Sequence, residues 1–535
     1  MSFMYNPFPF DDPKPVNRPE LSEKTISAVV SGGTPVVAKK FAATVIENAR
    51  KSNQILAFDG YTTVDWTLFL NLVARECRIA GVEFVSIDQN RECFKSGEEI
   101  DKMIDPLLIW DTKIDPTLLY GKIYKGGYEG LLDEAKTVEF EEKVSALKGG
   151  KGKVVAVYGY GCLIPRFRKL YDVKCFFDIT PKTSILRIRG GEYSNIGKER
   201  PDQINRVIRR CYYCDFEVAV CNRRELLHNS AIDFFFLADD PKSIVMMPFE
   251  AFSDICAQLV KYPFRAKPCY LEGVWGGSYM KRLRHLPDNM RNAAWVFDFI
   301  PMEVSVLVKA GDETLDINFC TFVCKEGVNL MSRDCVEKFH GYFPIRFNYD
   351  DSYHSTGNMS IQCHSGSAYN REHYGEFGRQ DESYYVCVTG HDAKTFIGFR
   401  DDADIPQFFK DIEAADTEHK PCDYMKYVNY EESKPGLQVM LPAGTIHSSG
   451  RNQVILEIGS LTIGSYTYKM YDYLRLDFDG KQRPIHTHLG EENVAQQRTA
   501  SVIRDPQSPE YIVQKMNVLP LGRIHKDQII GLLKL

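Results

Sequence analysis

The sequence predicts a multidomain α/β plus mainly β protein, an open α/β sheet with helices followed by a β sandwich or barrel. Three observations lead there. The chain has 535 residues, too many for one ordinary core, so two or three domains are expected. Between about residues 51 and 240, short apolar runs alternate with segments of helical period, the pattern of a largely parallel sheet covered by helices. From about residue 250 onward, aromatic and β-branched runs are broken at short spacing by Gly, Pro and Asn turns, as in a sandwich or barrel.

Residues 1–50 read as an N-terminal arm and lead-in. A proline-rich start precedes an extended TISAVVSGGTPVV and a short helix through FAATVIENAR. The α/β region, 51–245, opens with the strand ILAFD and the helix VDWTLFLNLVARECRIAG. VEFVSID is a second strand, followed by a helix around SGEEIDKMIDPLL. GKVVAVYGYG, YDVKCFFDI, TSILRIR and AIDFFFLADD supply further apolar strands. The β region, 246–490, reads as VSVLVKAG, INFCTFVC, FPIRFNY, MSIQCH, YYVCVTG, KTFIGF, LQVMLPAG, QVILEIG and YTYKMYDYL, with one helix at IPQFFKDIEAAD. The C-terminal extension, 491–535, is polar apart from strand-like pieces such as EYIVQKM.

Composition bounds the function. At 44% hydrophobic and 26% charged, with a formal net charge of -6, the chain has globular composition. That charge gives no electrostatic reason to expect nucleic acid or an anionic membrane. The start lacks the basic and apolar regions of a signal peptide, and no apolar run has the length of a membrane span, so a cytoplasmic location is expected. The 15 cysteines have no framework spacing and read as reduced, mostly buried thiols. CYYC, Cys211–Cys214, has knuckle or redox spacing but no second CxxC, and reads as structural. His486 and His488 in IHTH are two apart on a strand-like stretch and read as surface or core residues.

GKGKVVAVYGYG is glycine-rich but is no phosphate loop, because its glycines flank a strand and no GxxxxGK[ST] opens a helix. In the first strand–loop–helix unit, AFDGYTTVDW occupies the place of such a loop without its Lys–Ser/Thr pair. The region therefore resembles a P-loop kinase domain without a phosphate loop, and ATP chemistry is not expected of it.

One constellation carries chemistry. Gln362 and His364 are two apart in MSIQCH, so on a strand both side chains leave one face. Glu382 follows 18 residues after His364, far enough to return on a neighbouring antiparallel strand, and LPAGTIHSSG brings His447. Together the four would form an N/O site for a borderline divalent ion, with Zn2+ favoured and Fe2+, Mn2+ or Co2+ compatible. The alternative is four separately hydrogen-bonded residues at a barrel mouth.

FPIRF, MSIQCH, QDESYY, LPAGTIHSSG, VILEIG and YTYKMYDYLRLD, taken in order, resemble motifs of the type I phosphomannose isomerases, which are cupin proteins. LEGVWGGSYMKR, with Trp275, Gly276 and Gly277, resembles the motif that opens their catalytic domain. The likeness covers roughly residues 265–490, in a divergent branch with an added N-terminal α/β domain. It implies a cupin (double-stranded β-helix, or jelly-roll) domain and isomerisation of mannose 6-phosphate to fructose 6-phosphate. It also implies zinc on Gln362, His364, Glu382 and His447. Glu457 and Lys469 take the catalytic positions, Glu457 as base or proton carrier, or else as a hydrogen-bond partner of a ligand imidazole, and Lys469 as a charged stabiliser of the enediolate or sugar oxygens. Ser360 and Arg475 take those that bind phosphate. The implied partner is a small phosphosugar, with no nucleic acid and no membrane, and a homo-oligomer is left open. The sequence departs from the family at Lys469, where arginine is usual, at Gln380, near a usual lysine, and at Ser365–Gly366 after the metal histidine.

Overall fold

The computed structural model describes residues 5–355, 357–495 and 501–503. EYIVQKM lies outside them. Among the described residues, four sheets carry a mixed α/β architecture.

The first sheet has six strands in the order Glu83–Asp88, Lys153–Tyr158, Gln54–Gly60, Val173–Asp178, Phe234–Leu237 and Val245–Pro248. All neighbours are parallel except the last pair. Its central strand, QILAFDG, is buried at every position, which is why it reads as a continuous apolar run. Helix Thr34–Ala49 turns Val37, Ala38, Phe41, Ala42, Val45 and Ile46 inward at helical spacing.

Three stretches differ from expectation, each at a helix start. TISA belongs to helix Glu23–Ala28, capped by Ser22, and TPVV is the first turn of Thr34–Ala49 rather than extended chain. TSILRIR is helix Pro181–Arg189 and not a strand. Thr180 caps it, Pro181 opens it, and Ile185 and Ile188 bury one face. In INFCTFVC the strand stops at Asn318, whose side chain accepts from the N–H groups of Cys320 and Thr321 and starts helix Phe319–Met331. Local caps override β-branched composition in all three.

The second half holds two antiparallel sheets. One has seven strands, in the order Ser501–Ile503, Gln438–Leu441, Glu382–Thr389, Gln453–Ser460, Ile345–Asp351, Trp295–Phe299 and Cys269–Leu271. The other has five, Val428–Glu432, Lys394–Phe399, His447–Ser449, Ile361–His364 and Thr467–Tyr471. They face each other through a cluster containing Tyr384, Val386, Ile397, Val439 and Ile455. A three-stranded sheet joins Val16–Asn17 to the hairpin Ser305–Ala310 and Glu313–Asn318.

The two halves share one core. The largest apolar cluster runs from Phe41 and Phe58 of the first sheet to Tyr468 and Met470 of the second half. The Tyr120 hydroxyl donates to the Thr467 carbonyl at 2.8 Å, and the Ile123 N–H to the Tyr374 carbonyl at 2.9 Å. Asp178 accepts from Arg223 at 3.0 Å and from Thr321 of the next region at 2.5 Å. No described helix is long and apolar enough to cross a membrane.

Candidate metal centre

Gln362 and His364 lie on strand Ile361–His364, whose neighbours bring His447 on one side and Lys469 on the other. Gln362 sits opposite both. Glu382 does not arrive on an adjacent strand as expected. It starts strand Glu382–Thr389 of the facing sheet and closes the cluster from across the sandwich.

His364 Nε2 lies 3.0 Å from Glu382 Oε1, and His447 Nε2 lies 3.3 Å from Oε2. All three residues are buried, and one ligand atom from each falls within 4.8 Å of the others. Backbone carbonyls hold the outer ring nitrogens: His447 Nδ1 is 2.8 Å from the Thr445 carbonyl and His364 Nδ1 is 3.3 Å from the Tyr466 carbonyl. A carbonyl only accepts, so each Nδ1 carries a proton and each Nε2 is the ring nitrogen that faces Glu382. The buried Glu382 Oε2 has no hydrogen bond. Two imidazole nitrogens and a carboxylate oxygen brought this close form a donor set that fits a metal ion. The Gln362 amide nitrogen is 3.5 Å from His447 Nε2. Turned by half a rotation, that amide presents its oxygen as a fourth ligand.

Electrostatics follow from burial. Burial pushes His364 down despite Glu382. For His447, burial acts downward but the Glu382 carboxylate outweighs it and the net shift is upward. Burial also opposes the charge on Glu382, yet the two imidazoles hold that carboxyl well below the usual range. Gln380, the site of one family departure, donates to Glu382 Oε1 at 2.5 Å and lies 3.3 Å from His364 Nε2.

A cavity of about 240 Å3 opens beside the cluster. Ser360, Gln362, Glu382, Glu457 and Lys469 line it. Glu457, buried on strand Gln453–Ser460, accepts from Arg346 at 2.9 Å, and the same Arg346 nitrogen reaches Glu382 at 3.0 Å. Burial, then the charges of Glu382 and Asp350, push the Glu457 carboxyl well up. Burial, reinforced by Arg483, pushes the Lys469 ammonium below the ordinary lysine range. Ser360 Oγ is 3.4 Å from Gln362 Oε1.

Arg475 does not reach the cavity. Its guanidinium pairs with Asp472, donates to the Asn358 carbonyl at 2.5 Å and covers the Tyr473 ring. The basic residue that lines the cavity is Arg483, itself 2.6 Å from Asp472 Oδ2. Sequence reasoning passed over Arg346, and it read His486, which is buried, as a surface or core residue. Arg346, Asn348 and Asp350 alternate along one strand, a polar face at period two that signals an inward polar wall. His486 lines the cavity, whereas His488 is half-exposed beside Glu492 on helix Thr487–Asn493.

The fold and site together define a mixed α/β protein with a buried His–Glu–His cluster, able to hold a metal ion, between two antiparallel sheets. A family model described as "Domain of unknown function (DUF8485)" matches residues 38–261. Curated relatives bear out the resemblance to mannose-6-phosphate isomerases. The chain is 30% identical over 135 residues to mannose-6-phosphate isomerase of Streptococcus mutans serotype c, across 24% of this chain and 37% of that protein. It is 23% identical over 250 residues to mannose-6-phosphate isomerase ManA of Bacillus subtilis, across 46% of this chain and 70% of the relative. Among solved structures it is similar to the mannose 6-phosphate isomerase of Bacillus subtilis, with 19% identity, a TM-score of 0.35, and coverage of 44% of this chain and 70% of the other. The chain thus spans well under half of the first relative's length.

Proposed function

We propose that the protein is a metal-dependent aldose–ketose isomerase of sugar phosphates with a cupin domain, interconverting mannose 6-phosphate and fructose 6-phosphate. The buried cluster of His364, Glu382 and His447 beside a cavity that also presents Glu457 and Lys469 carries this reading. Names of the curated relatives support it. A divalent ion held by these three residues and Gln362, with Zn2+ best suited to the donors, would supply an electrophile for the sugar oxygens.

The other roles fall to the chain's own groups. Glu457 takes the proton from C2 of the aldose as the C–H electron pair forms the C1–C2 double bond and the carbonyl π pair moves to O1, which takes a proton. O2 then gives up its proton as the C2 carbonyl forms, and the double-bond pair takes the proton from Glu457 at C1. The place of Glu457 in the cavity beside Glu382 suits a group that moves a proton between the sugar carbons. Arg346 fixes the carboxylate in place. Lys469 faces the same cavity and hydrogen-bonds sugar hydroxyls, while Ser360 and Arg483 meet the phosphate. The reading carries a cytoplasmic location and a small phosphosugar as partner, without nucleic acid or membrane.

The position of Arg475 favours a second reading. With the expected phosphate ligand bound to Asp472, the protein would be a non-catalytic or differently specific metal-containing cupin for a sugar or sugar phosphate. Interconversion and solvent-hydrogen exchange at C2, measured on the metal-loaded protein, separate the two. Isomerisation that is lost in Glu457→Gln with metal retained supports the first. Ligand binding with neither reaction supports the second.

A further inference from the structure

The CYYC segment has no part in the chemistry above, yet it faces the same cavity. Helix Ile204–Arg210 passes into Phe216–His228 through a π-helical stretch, Cys211–Asp215. Such insertions re-phase a helix and recur at functional sites. Here the result is selective. Tyr212, Tyr213 and Phe216 all line the cavity, Cys211, Tyr213 and Cys214 being buried while Tyr212 and Phe216 stay partly exposed. These two rings sit 5.5 Å apart at 75°. Trp295 and Phe297, two apart on their strand, also line the cavity and are also partly exposed.

Aromatic surface left open inside a cavity is surface kept for a ligand. Its chemistry can be narrowed. No lysine or arginine among the described residues before 250 lines the cavity, and its basic residues Arg346, Lys469 and Arg483 all come from the second half. Glu217 and Glu303 share the aromatic side. That side offers phosphate no cation and suits a neutral ring with an apolar face and hydroxyls at its edge. A volume of about 240 Å3 far exceeds the roughly 10–15 Å3 that one water needs, which leaves room for a small organic ligand such as a sugar.

We propose that Tyr212 and Phe216, from the α/β half, form a stacking wall that binds the neutral ring of a sugar whose reacting carbons lie at the metal cluster. This rests on the reading of the cavity as a sugar site, and the test separates the two.

Trp295 and Trp275 line the cavity and report on it. Tryptophan fluorescence of zinc-loaded protein would be titrated with mannose and with mannose 6-phosphate. Saturable changes are expected with both sugars. Tyr212→Ala, Phe216→Ala and Tyr212→Leu should each weaken both sugars about tenfold, the scale of one aromatic contact. Tyr212→Phe should bind as wild type, and metal content and melting temperature should be unchanged in all variants. Wild-type affinity in Tyr212→Ala and Phe216→Ala overturns the wall, even if mannose 6-phosphate is isomerised. Absence of saturation by either sugar also overturns it. Weakened binding in these variants, with no isomerisation by wild type, leaves the wall standing and removes the isomerase assignment.

Discussion

A carboxylate oxygen and two imidazole nitrogens, all buried and all within 4.8 Å of one another, form the donor set of the candidate metal centre. His447→Ala removes one donor and should lower bound divalent metal from about one ion per chain to near none, because a fixed donor set loses affinity steeply with each ligand. Elemental analysis of dialysed protein measures this, with far-ultraviolet circular dichroism to show that the fold persists. Full occupancy in the variant would remove His447 from the site. A second residue-scale prediction concerns pH. Burial pushes Glu303 up to about 8, with Arg346 the opposing charge. The folded value lies above the unfolded one, so its stabilising contribution is complete below about pH 4 and is lost as pH rises through about 8. Glu303→Gln cannot ionise. The urea midpoint of wild type should fall across that window, and the variant's should fall less; identical slopes would contradict the assignment.

At the scale of elements, the turn after strand Gln54–Gly60 decides what the parallel sheet can do. Where a phosphate loop would leave backbone N–H groups open to a ligand, four of this turn's are bonded within the chain. The Gly60 N–H donates to Asp59 at 2.7 Å, Tyr61 to the Phe177 carbonyl at 2.9 Å, Thr63 to the Tyr160 hydroxyl at 3.1 Å and Val64 to the Tyr61 carbonyl at 3.3 Å. With no lysine in the loop, calorimetry with Mg-ATP should give no saturable heat in the micromolar range. Saturable binding coupled to phosphate transfer would make the first half a kinase. Legibility varied by element for physical reasons. Buried parallel strands such as QILAFDG announce themselves through apolar runs, and GEEIDKMI through its capping box. TSILRIR and FCTFVC were not legible from composition, because the deciding atoms belong to Thr180 and Asn318 just before them. The spacing of Gln362 and His364 was legible because a strand repeats every two residues. The reach of Arg475 and Arg483 was not, since both pair with Asp472 in an irregular segment whose backbone no periodicity describes.

At the scale of the whole molecule, the cavity belongs to neither half alone. Segment Asp115–Tyr120 of the first half is tied by Asp115, whose carboxylate accepts from Leu119 at 2.6 Å and Tyr120 at 2.7 Å. Tyr120 then bonds the strand that carries Lys469, and Thr117 lies 3.1 Å from His486. An apolar core crosses the same boundary. Two halves so connected cannot unfold independently without exposing that core, at about 25 cal/mol for each Å2 of apolar surface. Scanning calorimetry should therefore show one transition for the full chain. Saturating zinc binds only the folded cluster and should move the whole transition upward by mass action. Trp66 and Trp110, both in the first half, supply the stricter readout. With Trp275 and Trp295 replaced by phenylalanine, the remaining fluorescence should still report the zinc-shifted midpoint. A first-half transition that ignores zinc would show that the halves fold as separate units and that the shared cavity is only an abutment of two finished domains.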